Sequence, residues 1–186
     1  ELARERTARR PDLAGRVTFE RVDAADPAAL AGIPDAPYDA AVCNMAIMDT
    51  IAVDPLFRAM PALLRPGGRF VFTIMHPAFN APGGSTLCAE EADEGGELVT
   101  THSVRVLRYR TLGAVRGLAM VGQPQPQWYL HRTLSTLLGA AFAAGLVMDG
   151  IDEPCFPARV AAGAPPLSWR RFTEIPPVLA VRLRLA

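Results

Sequence analysis

The apolar positions of this chain follow two different spacings, and these predict alternating helices and strands. Over residues 54–64 they recur every three to four positions, at Phe57, Met60 and Leu64, as in a helix with one buried face. Residues 70–75 form a continuous apolar run, which is typical of a buried strand. Between them, residues 66–68 predict a tight turn, because proline ends the helix and glycine takes a positive φ without steric cost.

Further segments carry the same two patterns. Strands are predicted at residues 17–22, 38–44, 146–151 and 178–185, and helical segments at residues 2–10, 28–30 and 132–144. Gly145 is a natural C-terminal stop for the last helix. Arg182 and Arg184 interrupt the apolar residues of the last strand, which predicts one wet face or an edge position. Strands separated by helical segments indicate an α/β sheet.

The pattern changes between residues 78 and 130. Two mixed runs, residues 98–110 and 115–121, predict a hairpin, and the acidic residues 90–97 predict a solvated loop. This loop is favoured over a cation site, because no fixed Asp-x-Asp spacing is present. Long irregular segments in small domains are usually functional or disordered. We interpret residues 78–130 as a substrate cap over the carboxyl edge of the sheet.

The length, charge and cysteine content of the chain mainly exclude classes of function. The 186 residues, half of them apolar, are enough for one domain core. Because the 19 basic and 19 acidic residues balance and the arginines are scattered, a nucleic-acid partner is disfavoured. No apolar run reaches the ~20 residues of a membrane span, and no signal peptide is visible. Cys43, Cys88 and Cys155 lack metal-ligand spacing, so we expect no metal and free thiols in the cytoplasm.

The order of several motifs is more specific than any one of them. They are Val22-Asp23-Ala24, the Tyr38-Asp39-led strand, and Leu64-Arg65-Pro66-Gly67-Gly68-Arg69-Phe70. In this order they resemble the class I S-adenosylmethionine-dependent methyltransferases. Segments beginning at His131, Ala144, Asp152 and Ile175 resemble the C-terminal half of members that act on small molecules. The resemblance covers nearly the whole chain and is weakest over residues 80–127.

The resemblance implies a Rossmann-like α/β fold with a mostly parallel sheet and an antiparallel last strand. Residues 1–186 would form a single methyltransferase domain, with the cap as an insertion. Members carry a Gly-rich loop after their first strand and an acidic residue that ends their second, and this sequence has neither. We therefore expect that this sequence is part of a longer protein and that the N-terminal strands of the sheet are missing from it. A truncated chain that completes its sheet through a partner is the alternative.

The family's cofactor, S-adenosylmethionine, implies a binding site at the carboxyl edge of the sheet. By resemblance, the Asp23 carboxylate would accept a hydrogen bond from the adenine amino group, and the Ala24 amide would reach a ring nitrogen. Asn44, Met45 and Ala46 would lie along the methionine part of the cofactor. The alternative for Asp23 is that it caps the next helical turn.

Aromatic and acidic side chains are candidates for the acceptor pocket. Trp128 and Tyr129 stand together before a helix, and we expect them to form an aromatic wall. Asp49 follows the Tyr38 strand and is a candidate ligand of the acceptor. It is equally well placed in the sequence to be a helix N-terminal acid.

Two histidines are candidate catalytic bases. His76 follows the strand at residues 70–75, and His131 comes directly after the aromatic pair. Methyl transfer to a hydroxyl gains from a base that removes its proton, and imidazole suits that task near neutral pH. The alternative for each is a hydrogen-bonded structural histidine.

The sequence therefore predicts transfer of the sulfonium methyl group to a small-molecule acceptor. Oxygen is favoured because of the histidines, with nitrogen or carbon as alternatives. A hydrolase is a poor competitor, since no Gly-x-Ser-x-Gly elbow is present. The absent glycine loop keeps open a catalytically silent, methyltransferase-like binding or regulatory domain. A homodimer also stays open.

Overall fold

The computed structural model describes residues 2–118 and 122–186, in which four helices and eight strands are joined by short 3-10 turns. The helices are α1 (Leu2–Ala8), α2 (Pro27–Ala31), α3 (Asp54–Leu63) and α4 (Leu134–Ala143). The strands are β1 (Tyr38–Asn44), β2 (Leu64–Met75), β3 (Ser85–Glu94), β4 (Glu97–Val106), β5 (Ala114–Gly117), β6 (Gln127–Leu130), β7 (Leu146–Asp152) and β8 (Val178–Leu185).

A four-stranded sheet in the order β1-β2-β8-β7 forms the centre of the fold. β1 pairs with β2 in parallel, whereas β8 runs antiparallel to both of its neighbours. The last strand therefore has the expected direction, but it is interior, so the edge position considered for it is wrong. Because one of these three pairings is parallel, the expectation of a mostly parallel sheet is not confirmed. The expectation of missing N-terminal strands is not confirmed either.

The turn between α3 and β2 depends on two glycines. Gly67 has a φ of +79°, and a Cβ on Gly68 would come 2.9 Å from the carbonyl oxygen of Arg65. Leu64 already pairs with Tyr38, and pairing resumes at Arg69, so residues 65–68 bulge out of the ladder. The predicted turn is present, but the strand begins at Leu64 and not at residue 70.

Residues 17–22 do not form the predicted strand. They have no regular structure, and no described strand pairs with them. A segment becomes a β-strand only when it forms backbone hydrogen bonds with a neighbouring strand. An alternating apolar pattern does not by itself provide that neighbour. The short helical turn predicted after them is present as α2.

The predicted pairing of residues 98–110 with 115–121 is wrong. β3 pairs with β4 around Gly95 and Gly96, which have φ values of +72° and +93°. This two-residue turn with positive φ matches the twist of a hairpin. The acidic residues expected in a solvated loop therefore lie mostly on strands at the exposed tip of this hairpin. β5 pairs instead with β6, and residues 119–121 of the second predicted run lie outside the described residues.

The core lies between one face of the sheet and helices α3 and α4. Phe57 of α3 meets Phe70 and Phe72 of β2 edge-on, with ring centroids 6.0 and 6.2 Å apart. Leu137 of α4 and Leu183 of β8 are fully buried in the same cluster. The apolar residues spaced three to four apart on the helix therefore pack against the alternate residues of the strands on this face of the sheet.

The opposite face of the sheet carries an ionic cluster on three strands. Asp149 of β7 accepts a hydrogen bond from Arg182 Nε at 2.8 Å and lies 3.2 Å from Arg69 Nε. Arg184 Nε is 4.0 Å away. The hydrogen bond from Arg182, with the charges of the arginines, lowers the pKa of the Asp149 carboxyl. On this face Val42 of β1 is 71% exposed, so the two sides of the sheet differ strongly in burial.

We expect Phe72→Ala to lower the free energy of unfolding by about 3–5 kcal/mol, since it leaves a cavity beneath α3. Val42→Ala on the exposed face should change it by less than about 0.5 kcal/mol. Urea titrations followed by circular dichroism measure both. Equal losses for the two variants would contradict the assignment of a single buried face.

Asp149→Asn tests the ionic cluster. The carboxyl has a lower pKa in the folded state, so its stabilisation is present above the unfolded pKa and is lost as pH falls through the folded one. We expect a lower urea midpoint at pH 7 and a difference that shrinks below about pH 4. Asp12→Asn, which removes an exposed pair with Arg10, should have a smaller effect. The same difference for Asp149→Asn at pH 3 and pH 7 would show that charge is not the cause.

Candidate functional site

The carboxyl end of β1 is held by one residue of β2. The amide of Met45 donates to the carbonyl oxygen of Thr73 at 3.0 Å and to its Oγ1 at 3.1 Å. The Thr73 hydroxyl in turn donates to Asn44 Oδ1. Met45 has a φ of +50°, a conformation that is rare outside glycine and marks functional sites more often than average. The chain therefore leaves the sheet at a defined angle and enters the turn Ile47–Asp49.

That turn forms one wall of an open cleft of about 460 Å³. Asp49, Thr50 and Ile51 line one side, and residues 21–25, which include Asp23 and Ala24, line the other. The structure thus brings together three residues that the sequence analysis selected separately. Ala46, a further candidate, begins the turn: its carbonyl oxygen accepts from the Asp49 amide at 3.0 Å.

Asp23 and Asp26 both accept local backbone hydrogen bonds. Asp23 Oδ1 accepts from the Ala25 amide at 2.9 Å, and Asp26 Oδ1 accepts from the Ala28 amide at 2.9 Å. Asp26 is the N-cap of α2 and does not line the cleft. Asp23 does line the cleft and is exposed. The Asp26 carboxylate therefore caps a helix, whereas the Asp23 carboxylate stabilises a local turn and is also accessible from the cleft.

A polar group on β6 reaches the same turn. Gln127 Nε2 donates to Asp49 Oδ1 at 3.2 Å. Burial raises the pKa of the Asp49 carboxyl, and the Gln127 hydrogen bond opposes this. Tyr129 lies on the same side of β6 and is buried, and burial followed by the charge of Asp49 raises the pKa of its phenol. Sequence reasoning missed Gln127, although it stands two residues before Tyr129 and so shares its strand face.

Trp128 and Tyr129 do not form a common wall. Successive side chains of a strand point to opposite faces, so Tyr129 is 6% exposed and Trp128 is 55% exposed. The guanidinium carbon of Arg116 on β5 lies 5.5 Å from the Trp128 ring centroid. The buried cluster beside Asp49 therefore contains Tyr129 alone of this pair.

His131 has one ring nitrogen engaged by the backbone. Nε2 lies 2.7 Å from the carbonyl oxygen of Tyr109. Because a carbonyl only accepts, Nε2 carries the hydrogen, and Nδ1 of the neutral ring keeps its lone pair. The Tyr109 ring meets His131 edge-on at 5.7 Å. His131 also lines a small cavity of about 20 Å³ with Met75 and Pro77, at the end of β2.

His76 is 2% exposed, and both of its ring nitrogens have partners. Nδ1 accepts from the amides of Ala78 and Phe79 at 3.2 and 3.3 Å. Nε2 therefore carries the hydrogen and donates to Glu153 Oε1 at 2.8 Å. The ring also stacks on Phe79, with centroids 4.5 Å apart. These contacts hold the start of the cap against the segment after β7.

Arg132 is a second residue that sequence reasoning left without a role. Its guanidinium donates to carbonyl oxygens of Thr50 and Ile51 at 2.7 and 3.0 Å, within the wall of the cleft. Its place in the segment that begins at His131 was the available signal, but nothing in the spacing along the chain indicates that its partners are carbonyls 81 and 82 residues upstream.

Other features of the structure lie apart from this cleft. A cavity of about 510 Å³ between α2 and α3 has a mostly apolar lining and shares no residue with the cleft. Across residues 2–118 and 122–186, no three His, Cys, Asp or Glu side chains are grouped as a metal would require. In the same ranges, each helix is too short or too polar to cross a membrane.

Comparison with solved structures identifies the fold. No protein-family model and no curated protein matches the chain. An S-adenosylmethionine-dependent methyltransferase from Mesorhizobium loti is similar over 98% of this chain and 74% of its own, with 27% identity and a TM-score of 0.68. A glycopeptide N-methyltransferase solved with (S)-adenosyl-L-methionine is similar over 98% of this chain and 71% of its own, with 14% identity and a TM-score of 0.54.

The similarity extends over nearly the whole chain and covers about three quarters of the longer Mesorhizobium loti protein. The resemblance found in the sequence motifs is thereby confirmed, and the chain has the Rossmann-like fold of the class I S-adenosylmethionine-dependent methyltransferases.

Proposed function

We propose that this protein transfers the methyl group of S-adenosylmethionine to a small-molecule acceptor, with oxygen as the favoured acceptor atom. One observation carries the proposal. Asp23 and Asp49, which are far apart in the sequence, line one open cleft at the carboxyl end of β1. In open α/β sheets this is the edge at which ligands bind.

The residues of the cleft suit this cofactor. The cleft volume of about 460 Å³ lies within the range of about 300–1,000 Å³ for small-molecule sites. Asp23 would accept from the adenine amino group while the Ala24 amide meets a ring nitrogen. Asn44, Met45 and Ala46 do not line the cleft but lead into its wall. By resemblance they would lie along the methionine part of the cofactor, where neutral oxygens and polarisable sulfur favour a cation. When bound, S-adenosylmethionine supplies an electrophilic methyl group on positively charged sulfur.

The acceptor would lie beside Asp49, Gln127 and Tyr129. Asp49 and Tyr129 offer an acceptor and a donor in a partly buried setting, where hydrogen bonds orient a small molecule effectively. Trp128 faces away from this cluster. It could contact only a part of the acceptor that extends beyond the cluster. Aligning the acceptor atom with the methyl group and excluding water are the main tasks of these side chains.

For proton removal the two histidines are not equivalent. His131 keeps a lone pair on Nδ1, because the Tyr109 carbonyl holds the hydrogen on Nε2. This nitrogen would take up the proton that the acceptor hydroxyl loses when the methyl group passes to it from the sulfonium sulfur. His76 already uses both nitrogens within the protein, so we propose that it positions the start of the cap.

Binding of S-adenosylmethionine is the first test. We expect Asp23→Ala to raise the dissociation constant about tenfold or more, since it removes a charged hydrogen-bond acceptor. Asp26→Ala is the matched control: it removes the cap of α2, outside the cleft, and should alter binding less than twofold, within about 0.4 kcal/mol. Isothermal titration calorimetry on the folded variants measures both.

The outcomes of this titration separate the alternatives. Absence of binding by the wild-type chain would overturn the proposal. Binding without methyl loss, across oxygen, nitrogen and carbon acceptors, would instead support a catalytically silent binding domain. Equal weakening by Asp23→Ala and Asp26→Ala would remove Asp23 from the site.

His131→Gln tests the base. We expect about a 10²-fold or larger fall in kcat, with unchanged cofactor affinity. His102→Gln on β4 is the control histidine. Unchanged turnover in His131→Gln would assign His131 a structural role.

A further inference from the structure

The guanidinium of Arg132 donates hydrogen bonds to backbone carbonyls before and after Asp49 in the chain. Nη2 donates to the carbonyl oxygens of Thr50 at 2.7 Å and Ile51 at 3.0 Å, and Nη1 to those of Ile47 at 3.3 Å and Leu130 at 3.4 Å. The Arg132 side chain therefore connects the end of β6 with the start of the turn Ile47–Asp49 and with the two residues that follow this turn.

These hydrogen bonds are made in a partly buried setting. Burial lowers the pKa of the Arg132 guanidinium from its usual very high value, and the charge of Asp54 opposes this shift. Arginine stays protonated in proteins, so its donors are permanent and carry charge. Charged donors bind carbonyl oxygens more strongly than neutral ones, and their fork geometry limits the directions in which the carbonyls lie.

The wall of the cleft has little regular structure of its own. Its local backbone bonds are those of a single short turn, from the amides of Asp49 and Thr50 to the carbonyls of Ala46 and Ile47. Ile47 and Met48 are buried in the core, whereas the residues that follow them are held by polar side chains. Gln127 of β6 donates to the Asp49 carboxylate, and Arg132, two residues after β6, donates to the surrounding carbonyls. Segments with few internal bonds open locally unless side chains restrain them.

We infer that Arg132 is a positioning residue, which holds residues 47–51 so that Asp49 and Ile51 keep the shape of the cleft opposite Asp23. It acts through the backbone of this segment and does not itself line the cleft. The inference rests on the proposed function for its consequence in binding, but its effect on the free protein does not depend on that function.

The test compares Arg132→Met with Arg132→Lys and a matched control. Methionine keeps an apolar stem without donors, and lysine restores a charged donor without the fork. Arg65→Met is the control, because Arg65 also donates to a backbone carbonyl, that of Pro37, but near the opposite end of β1.

Hydrogen exchange in the absence of ligand is the first readout. Arg132→Met should exchange the amides of Asp49 and Thr50, which donate the hydrogen bonds of the turn, about tenfold faster, while the amides of β2 change less than twofold. Arg132→Lys should recover part of the protection, and Arg65→Met should leave these two amides unchanged. Uniform acceleration over the whole chain, or no acceleration at Asp49 and Thr50, would overturn the positioning role.

Titration with S-adenosylmethionine is the second readout, made at a temperature at which all variants are folded. Arg132→Met should raise the dissociation constant about five- to tenfold, with a smaller increase for lysine and none for Arg65→Met. Faster local exchange with unchanged affinity would overturn the link between Arg132 and the site. If wild-type protein does not bind the cofactor, the proposed function fails, and the exchange result still decides whether Arg132 orders this segment.

Discussion

The contact between α3 and β2 is the constraint on which the rest of the structure depends. Phe57 packs edge-on against Phe70 and Phe72, and all three rings are almost completely buried. Burial of large aromatic side chains is a major source of stability in a domain of this size. Because β2 lies between β1 and β8, its orientation on α3 decides which faces of those strands are buried as well.

The site follows from this arrangement through a small number of polar contacts. β1 and β2 are parallel and in register, which brings Thr73 to the residue at which β1 ends. Thr73 holds Met45, and the chain then turns toward β6, where Gln127 and Arg132 hold the segment around Asp49. One wall of the cleft is thus held by side-chain hydrogen bonds between elements that are distant in the sequence.

The accuracy of the sequence analysis differed between kinds of element. β1 and β8 were predicted with their observed bounds, and α3 and β7 to within one residue, because each has a clear apolar period and a defined stop. Residues 17–22 had the pattern of a strand but lack a described neighbour with which to pair. The hairpin partner of β4 was predicted wrongly, although Gly95 and Gly96 were the available signal for a two-residue turn.

For the candidate site, the motif order selected Asp23, the position after the Tyr38 strand made Asp49 a candidate, and the structure brings both into one cleft. The sequence by itself determined the helices, most strands of the central sheet and the family resemblance, since these depend on local period and motif order. Tertiary structure alone decided that Tyr129 is buried and Trp128 exposed, that His76 has both nitrogens engaged, and that Arg132 binds carbonyls far upstream. The reason is physical: burial, hydrogen-bond partners and strand pairing depend on which segments meet in space, and spacing along the chain does not contain that information.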